Sequence, residues 1–195
     1  FGRAGVLLVA HDNVRKRMSV EQFVGTARRT AAAPAAALPV VTFNDSVTFH
    51  INGDSLVAFH VPPAHTDGDV VIYFAKADVI HMGDTYFAAG YPFVDVMSGG
   101  NVNGVIAAAD RALAICTPNT IVIPGHGPTQ TCDNLRTWRN MIATIRDRVQ
   151  AEMQENRTLD QIKAAGLTTE FDARWGTGFV QTASFVEAIY RSLGG

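Results

Sequence analysis

The sequence predicts one layered α/β or α+β domain, and three observations lead to this prediction. Apolar and alternating runs typical of strands dominate the first half of the chain, and a helical period of three to four residues dominates the second half. The length of 195 residues is enough for a single domain, residues 1–195, with a sizeable buried core. Hydrophobic residues make up 47% of the chain and charged residues 17%, a composition that excludes a disordered, collagen-like or coiled-coil chain.

The first predicted elements are a short strand and a helix. The apolar run 6–10 predicts a buried strand. Ser19 is followed three residues later by Gln22, a capping-box pattern that predicts a helix reaching about Arg28. The Ala-rich residues 30–38 then predict a surface connection.

Four strands are predicted in the middle of the chain. Residues 46–51 and 55–61 flank the tripeptide Asn-Gly-Asp, which is a strong signal for a β-hairpin. Residues 69–74 and 78–81 are nearly continuous apolar runs, as expected where a sheet is covered on both faces.

Helices and one more buried strand are predicted in the second half. A helix with one apolar face follows Gly104, and residues 120–123 form the next strand. A long helix begins around Thr131, because apolar residues recur from there at spacings of three and four. Thr158 and Ser184 each open a capping-box pattern that predicts a shorter helix.

The two cysteines, Cys116 and Cys132, lie on either side of the predicted strand 120–123. A strand rises about 3.3 Å per residue, so we expect its two ends to diverge. Cysteines so separated are too far apart to pair, and both thiols are predicted to be unpaired. The cysteines therefore do not indicate whether the protein belongs to an oxidising or a reducing compartment.

Charge and hydropathy restrict the partners. The net charge is −2 and the sequence has no large cluster of Lys or Arg, so we expect no nucleic-acid partner. No apolar run approaches the roughly 18 residues of a membrane-spanning helix, so we expect no membrane partner. The chain opens at Phe1 with neither an initiator Met nor a readable targeting signal, which suggests a piece of a longer protein and leaves its localisation unknown.

Three segments place a metal-capable side chain in a glycine-containing turn beside a predicted strand. These side chains are His65, Asp84 and His126. If the strands are neighbours, the three side chains converge at one edge of the core, and imidazole with carboxylate is a ligand set that suits zinc, iron or manganese. The alternative for each residue is structural, since a single His after a strand is commonly solvated and an Asp before Thr commonly belongs to a turn.

Two further residues near these segments are interpreted differently. His81 ends an apolar strand and is predicted to pack rather than to bind metal. For Asp67 two alternatives are open: it accepts a hydrogen bond from the His65 ring, as residues next to metal-bound imidazoles do, or it caps the turn.

These segments read His-Thr-Asp-Gly-Asp, His-Met-Gly-Asp-Thr and Ile-Pro-Gly-His-Gly-Pro, and in this order they resemble the metallo-β-lactamase superfamily. Residues 91–95 and 171–176 are similar to one bacterial hydrolase branch of it. The resemblance implies a four-layer αβ/βα sandwich with two zinc ions at one edge. By the same resemblance His65 belongs to the first metal site, Asp84 bridges both metals and His126 belongs to the second.

The implied activity is hydrolysis of an ester, thioester, lactone or amide bond in a small-molecule substrate by a metal-bound hydroxide. The chain departs from the family because it contains no His-x-His-x-Asp-His motif, which supplies the remaining histidine ligands and an aspartate that orients water. We therefore expect the N-terminal part of the sandwich to be missing, this chain alone to be inactive, and its exposed N-terminal edge to favour self-association. Two alternatives remain: a β-lactamase proper, and a non-catalytic member that folds without metal.

Overall fold

A six-stranded sheet and the helices packed against it form most of the protein. The computed structural model describes residues 1–24 and 28–195. The strands are β1 Val9–His11, β2 Gln22–Val24, β3 Arg28–Thr30, β4 Val41–Phe43, β5 Ser46–Ile51, β6 Asp54–His60, β7 Val70–Phe74, β8 Val79–Phe87, β9 Ile121–His126 and β10 Gln130–Thr131. The helices are α1 Asp12–Met18, α2 Val102–Ile115, α3 Cys132–Gln154, α4 Leu159–Ala164, α5 Thr169–Trp175 and α6 Thr182–Ser192.

The large sheet has the strand order β10-β9-β8-β7-β6-β5. Within this sheet β8 and β9 pair in parallel, with α2 as the crossover between them, and the other neighbouring strands are antiparallel. The predicted hairpin is confirmed: Asn52 and Gly53 both have positive φ, 54° and 73°, as a tight turn between β5 and β6 requires. Two small sheets, β1 with β4 and β2 with β3, precede the large one.

Helices α2, α3 and α6 cover the core, and the mixed α/β prediction is confirmed. The apolar face predicted for α3 is fully buried at Leu135, Trp138, Ile142, Ile145 and Val149. Thr131 caps this helix through a hydrogen bond that its hydroxyl accepts, so the predicted start is also confirmed. In the described ranges, no helix has the length and apolarity that a membrane crossing requires.

The prediction of a helix starting at Ser19 was wrong. Helix α1 ends at Met18, and Ser19 follows its last turn, where its hydroxyl donates to the Arg15 carbonyl. The helix begins earlier because the His11 ring accepts a hydrogen bond from the Asn13 backbone N–H and so caps its first turn. The predicted helix also spanned residues 25–27, which lie outside the described residues.

The predicted strand at 6–10 is shorter than expected. Strand β1 covers only Val9–His11, because its single partner β4 is equally short. Val6 and Leu7 precede it and are exposed.

The other two predicted capping boxes, at Thr158 and Ser184, had different outcomes. Thr158 and Gln161 form the reciprocal pair that opens α4, as predicted. Ser184 does not open a helix, because α6 begins two residues earlier at Thr182. The Glu187 carboxylate that was expected to close this box instead accepts hydrogen bonds from Lys163 and Arg191.

The prediction of two free thiols was also wrong, because Cys116 and Cys132 form a disulfide with their Cα atoms 6.3 Å apart. The expectation assumed that the chain leaves along β9 and does not return. Strand β10 instead pairs antiparallel to β9, with Thr131 opposite Ile121, and this reversal brings Cys132 back to the start of β9. Cys116 lies at the end of α2 just before that strand.

Candidate metal centre

The Asp84 carboxylate lies between two imidazole rings. His65 Nε2 is 3.7 Å from Asp84 Oδ2, and His126 Nε2 is 3.4 Å from Asp84 Oδ1. The structure therefore brings together all three side chains that the sequence singled out. The Asp84 side chain is 39% exposed and that of His126 is 61% exposed, so the group is open to solvent on the His126 side.

The parallel pairing of β8 and β9 positions two of these residues. Asp84 was expected in a turn after its strand, and so was His126, but both strands continue: Asp84 lies inside β8, and His126 is the last residue of β9. The pairing is irregular on both sides of Gly83, whose φ is 53°. A break of this kind in a strand redirects the side chain that follows it.

The orientation of His65 is set by a backbone carbonyl. His65 Nδ1 lies 2.7 Å from the Phe93 carbonyl oxygen, which can only accept, so this nitrogen carries the proton and donates. The lone pair of the neutral ring is therefore on Nε2, which faces Asp84. Metal-binding histidines are commonly held in this way.

Asp67 neither accepts a hydrogen bond from the His65 ring nor caps the turn. Its carboxylate accepts two hydrogen bonds of 2.7 Å from the guanidinium of Arg17, and these bonds hold the pKa of Asp67 below its usual range. The turn is capped instead by Asp69, which accepts from both the backbone N–H and the hydroxyl of Thr66. The Arg17 partner was missed because it lies 50 residues away in the sequence.

His81 supports the irregular part of β8. Its ring accepts a hydrogen bond of 3.3 Å from the backbone N–H of Gly83, directly before Asp84. This contact agrees with the interpretation of His81 as a structural residue.

Residues 2–132 match the sequence profile of the metallo-beta-lactamase superfamily. The chain belongs to this superfamily. Over 66 residues it is 33% identical to the probable metallo-hydrolase YqgX of Bacillus subtilis (strain 168), a stretch that covers 34% of this chain and 31% of that protein. The aligned part is thus about a third of the relative's length.

Solved structures agree with the metallo-β-lactamase fold. A metallo-beta-lactamase from Pontibacter korlensis is 20% identical with a TM-score of 0.56, over 72% of this chain and 60% of that one. The sec-alkylsulfatase Pisa1 from Pseudomonas sp. is 18% identical with a TM-score of 0.66, over 87% of this chain and 28% of that one. Identities this low show the fold alone, and the fold predicted from the resemblance is confirmed.

The three side chains at Asp84 are chemically suited to a metal ion. Two imidazole nitrogens and one carboxylate are ligands that zinc accepts. Within residues 1–24 and 28–195, however, no group of three or more His, Cys, Asp or Glu side chains is arranged to enclose a metal ion. His65, Asp84 and His126 therefore lie close together, but they do not form a complete metal site among the described residues.

A cavity of about 360 Å³ opens beside Asp84 and His126. Its remaining wall is largely aromatic, with the rings of Phe87, Tyr91, Phe93 and Phe179. Phe87 also stacks on the His126 ring, with centroids 4.6 Å apart and planes 25° from parallel. No metal-capable residue type marks these aromatic residues in the sequence, although Tyr91 and Phe93 lie in the segment 91–95 that resembles one hydrolase branch.

Proposed function

We propose that this chain carries part of the zinc site of a hydrolase that cleaves an ester, thioester, lactone or amide bond. The observation that carries the proposal is the placement of two imidazole nitrogens against the two oxygens of a single carboxylate, with the other nitrogen of the His65 ring held by the Phe93 carbonyl. The position of this group at the end of an apolar cavity supports it further.

Each of the three side chains has its own proposed role. His65 would hold one zinc ion and His126 a second, each through Nε2, and the Asp84 carboxylate would serve both. When bound, zinc polarises a carbonyl oxygen and lowers the pKa of water to about 7. The chain's other residues hold these ligands in place: the Phe93 carbonyl fixes the His65 ring, and Phe87 supports the His126 ring.

This chain alone is proposed to turn over these substrates slowly or not at all. A catalytic zinc ion needs about three protein ligands and an open position for water. With one imidazole each and one carboxylate shared between them, neither ion would have that number. A non-catalytic member of the superfamily is the second candidate, favoured by the incomplete ligand set among the described residues.

Zinc titration of the purified protein by calorimetry tests the proposal. We expect weak zinc binding that Asp84→Ala reduces at least tenfold, because Asp84 is the donor common to both ions. The matched control is His50→Ala, since His50 lies on β5 and its ring interacts with the Ser55 hydroxyl, away from Asp84. Equal zinc affinity in the two variants would contradict the site, and folded protein without zinc affinity would support the non-catalytic member.

Activity is measured in parallel on a thioester, a lactone and a β-lactam, each with and without chelator. We expect no chelator-sensitive turnover above that of the Asp84→Ala variant. Robust chelator-sensitive turnover would contradict the incomplete ligand set, and the substrate that reacts would then decide between a β-lactamase and another hydrolase.

A further inference from the structure

The cavity beside Asp84 and His126 is lined mainly by aromatic side chains, which restricts the groups that it can bind. We propose that it binds an uncharged, flat apolar substituent of the substrate, such as an aryl group, and that Phe179 is the residue that sets this preference. This inference rests on the hydrolase function proposed above, because it assigns the substrate class of the same site.

The charges around the cavity exclude an anionic substituent. Among the described residues that line the cavity none is Lys or Arg, so a carboxylate or sulfate placed there would have no Lys or Arg side chain to pair with. The same anion would lie near the Asp84 carboxylate. The Tyr91 hydroxyl cannot compensate, because it already donates to Asp172 at 2.8 Å and the residue is buried. A neutral group avoids all of these costs.

The size of the cavity limits the substituent. At about 30 Å³ for each water-sized group, a volume of 360 Å³ holds roughly a dozen non-hydrogen atoms. A phenyl ring with its ester fits this limit, whereas a long acyl chain exceeds it.

Phe179 forms the outer wall of the cavity. Its residue is 85% exposed, yet the ring packs edge-on against Phe93, with centroids 6.3 Å apart. The Phe93 ring in turn lies against the His65 ring, with centroids 5.6 Å apart. The Phe93 backbone carbonyl also accepts the hydrogen bond from His65 Nδ1. A substituent in the cavity therefore meets an aromatic pair that adjoins the proposed zinc ligands, and stacking on it covers apolar surface that water now faces.

The segment that carries Phe179 is held close to the residues that follow β8. A Cβ atom on Gly178 would lie 3.2 Å from the Cα atom of Gly90, so the two backbones touch without side chains between them. The Trp138 indole N–H donates to the Gly90 carbonyl at 3.1 Å, and the Tyr91 N–H donates to the Trp175 carbonyl at 3.2 Å. The wall is thus formed before any substrate arrives, which lowers the entropy cost of binding.

Ligand-observed NMR with chelator present tests the inference without zinc and without turnover. The probes are methyl benzoate and its charged counterpart benzoate, which share the ring and differ in charge. Phe179→Ala removes the wall at an exposed position, where the fold should tolerate the change. Ala89→Trp fills the cavity from its exposed rim. Phe1→Ala is the matched control, because Phe1 is also highly exposed but lies elsewhere.

We expect methyl benzoate to bind the unchanged protein with a dissociation constant on the order of millimolar, and benzoate about tenfold more weakly. Phe179→Ala should weaken methyl benzoate about tenfold, Ala89→Trp should abolish its binding, and Phe1→Ala should change nothing. Equal binding of ester and acid would overturn the charge argument, and unchanged binding by Phe179→Ala would overturn the role of Phe179. Because the probe is read without metal, these results are independent of whether the zinc proposal fails.

Discussion

The Asp84 carboxylate occupies the space that a side chain at Gly125 would need. A Cβ atom built on Gly125 would lie 2.1 Å from Asp84 Oδ1, closer than any real contact. Gly125 therefore leaves the space that the Asp84 carboxylate on the neighbouring strand occupies.

Gly125→Ala should displace the Asp84 carboxylate and reduce zinc affinity at least tenfold, as measured by calorimetry. The control is Gly5→Ala, where a Cβ atom meets open space although φ is 76°. Alanine in this left-handed conformation costs roughly 1–2 kcal/mol of stability, so the control also measures general destabilisation. Zinc affinity unchanged by Gly125→Ala would argue against Asp84 as a ligand.

Asp67→Asn should leave zinc affinity unchanged, because the Phe93 carbonyl and not Asp67 holds the His65 ring. The substitution should lower the free energy of unfolding by about 1–2 kcal/mol at neutral pH, since it weakens a bidentate ion pair with Arg17 that is partly shielded from solvent. Urea denaturation and zinc titration of the same variant separate the two effects. A large loss of zinc affinity would restore Asp67 as a support for the metal ligand.

Reduction of the Cys116–Cys132 disulfide should lower the free energy of unfolding by about 3 kcal/mol, the loop-closure entropy of a loop of about 15 residues. Thermal melts with and without dithiothreitol measure the change. The double variant Cys116→Ser, Cys132→Ser should melt like the reduced protein and should not respond to dithiothreitol. Two thiols that react in the native, unreduced protein would contradict the pairing.

His11 should make the protein less stable as the pH falls below about 6.5. The residue is 5% exposed and its ring stacks on His60 at 3.8 Å. Burial and the neighbouring His60 lower its pKa, against weaker opposing effects from Asn44, Asp12 and Asp67. Below pH 6.5 the unfolded chain therefore binds a proton at His11 that the folded chain does not. Unfolding then takes up protons, so the free energy of unfolding decreases with falling pH.

Urea denaturation at pH 7.5 and at pH 5.5 checks this expectation. His11→Gln should reduce the loss of stability between the two pH values, whereas His50→Gln, at an exposed position on β5, should leave that loss unchanged. The Asp67 carboxylate, whose pKa is lowered, acts in a more acidic range and does not enter this interval. An equal pH dependence in both variants would show that another group is responsible.

Where a structure depends on neighbours along the chain, the sequence alone was sufficient. The Asn52-Gly53 turn, the Thr158 capping box and the buried face of α3 are each determined within a few residues, by backbone conformation, a short hydrogen bond or helical period. His65, Asp84 and His126 were identified in the same way, from strand patterns next to glycines, although Asp84 and His126 lie within strands and not in the expected turns.

The tertiary structure decided which residues that are distant in the sequence contact each other. Cys132 meets Cys116 only because β10 reverses the chain, and Asp67 meets Arg17 across 50 residues of sequence. Phe179 reaches the cavity because two glycine backbones pack without side chains between them. No local pattern encodes such contacts, because each depends on how the chain returns in three dimensions and not on the residues beside it.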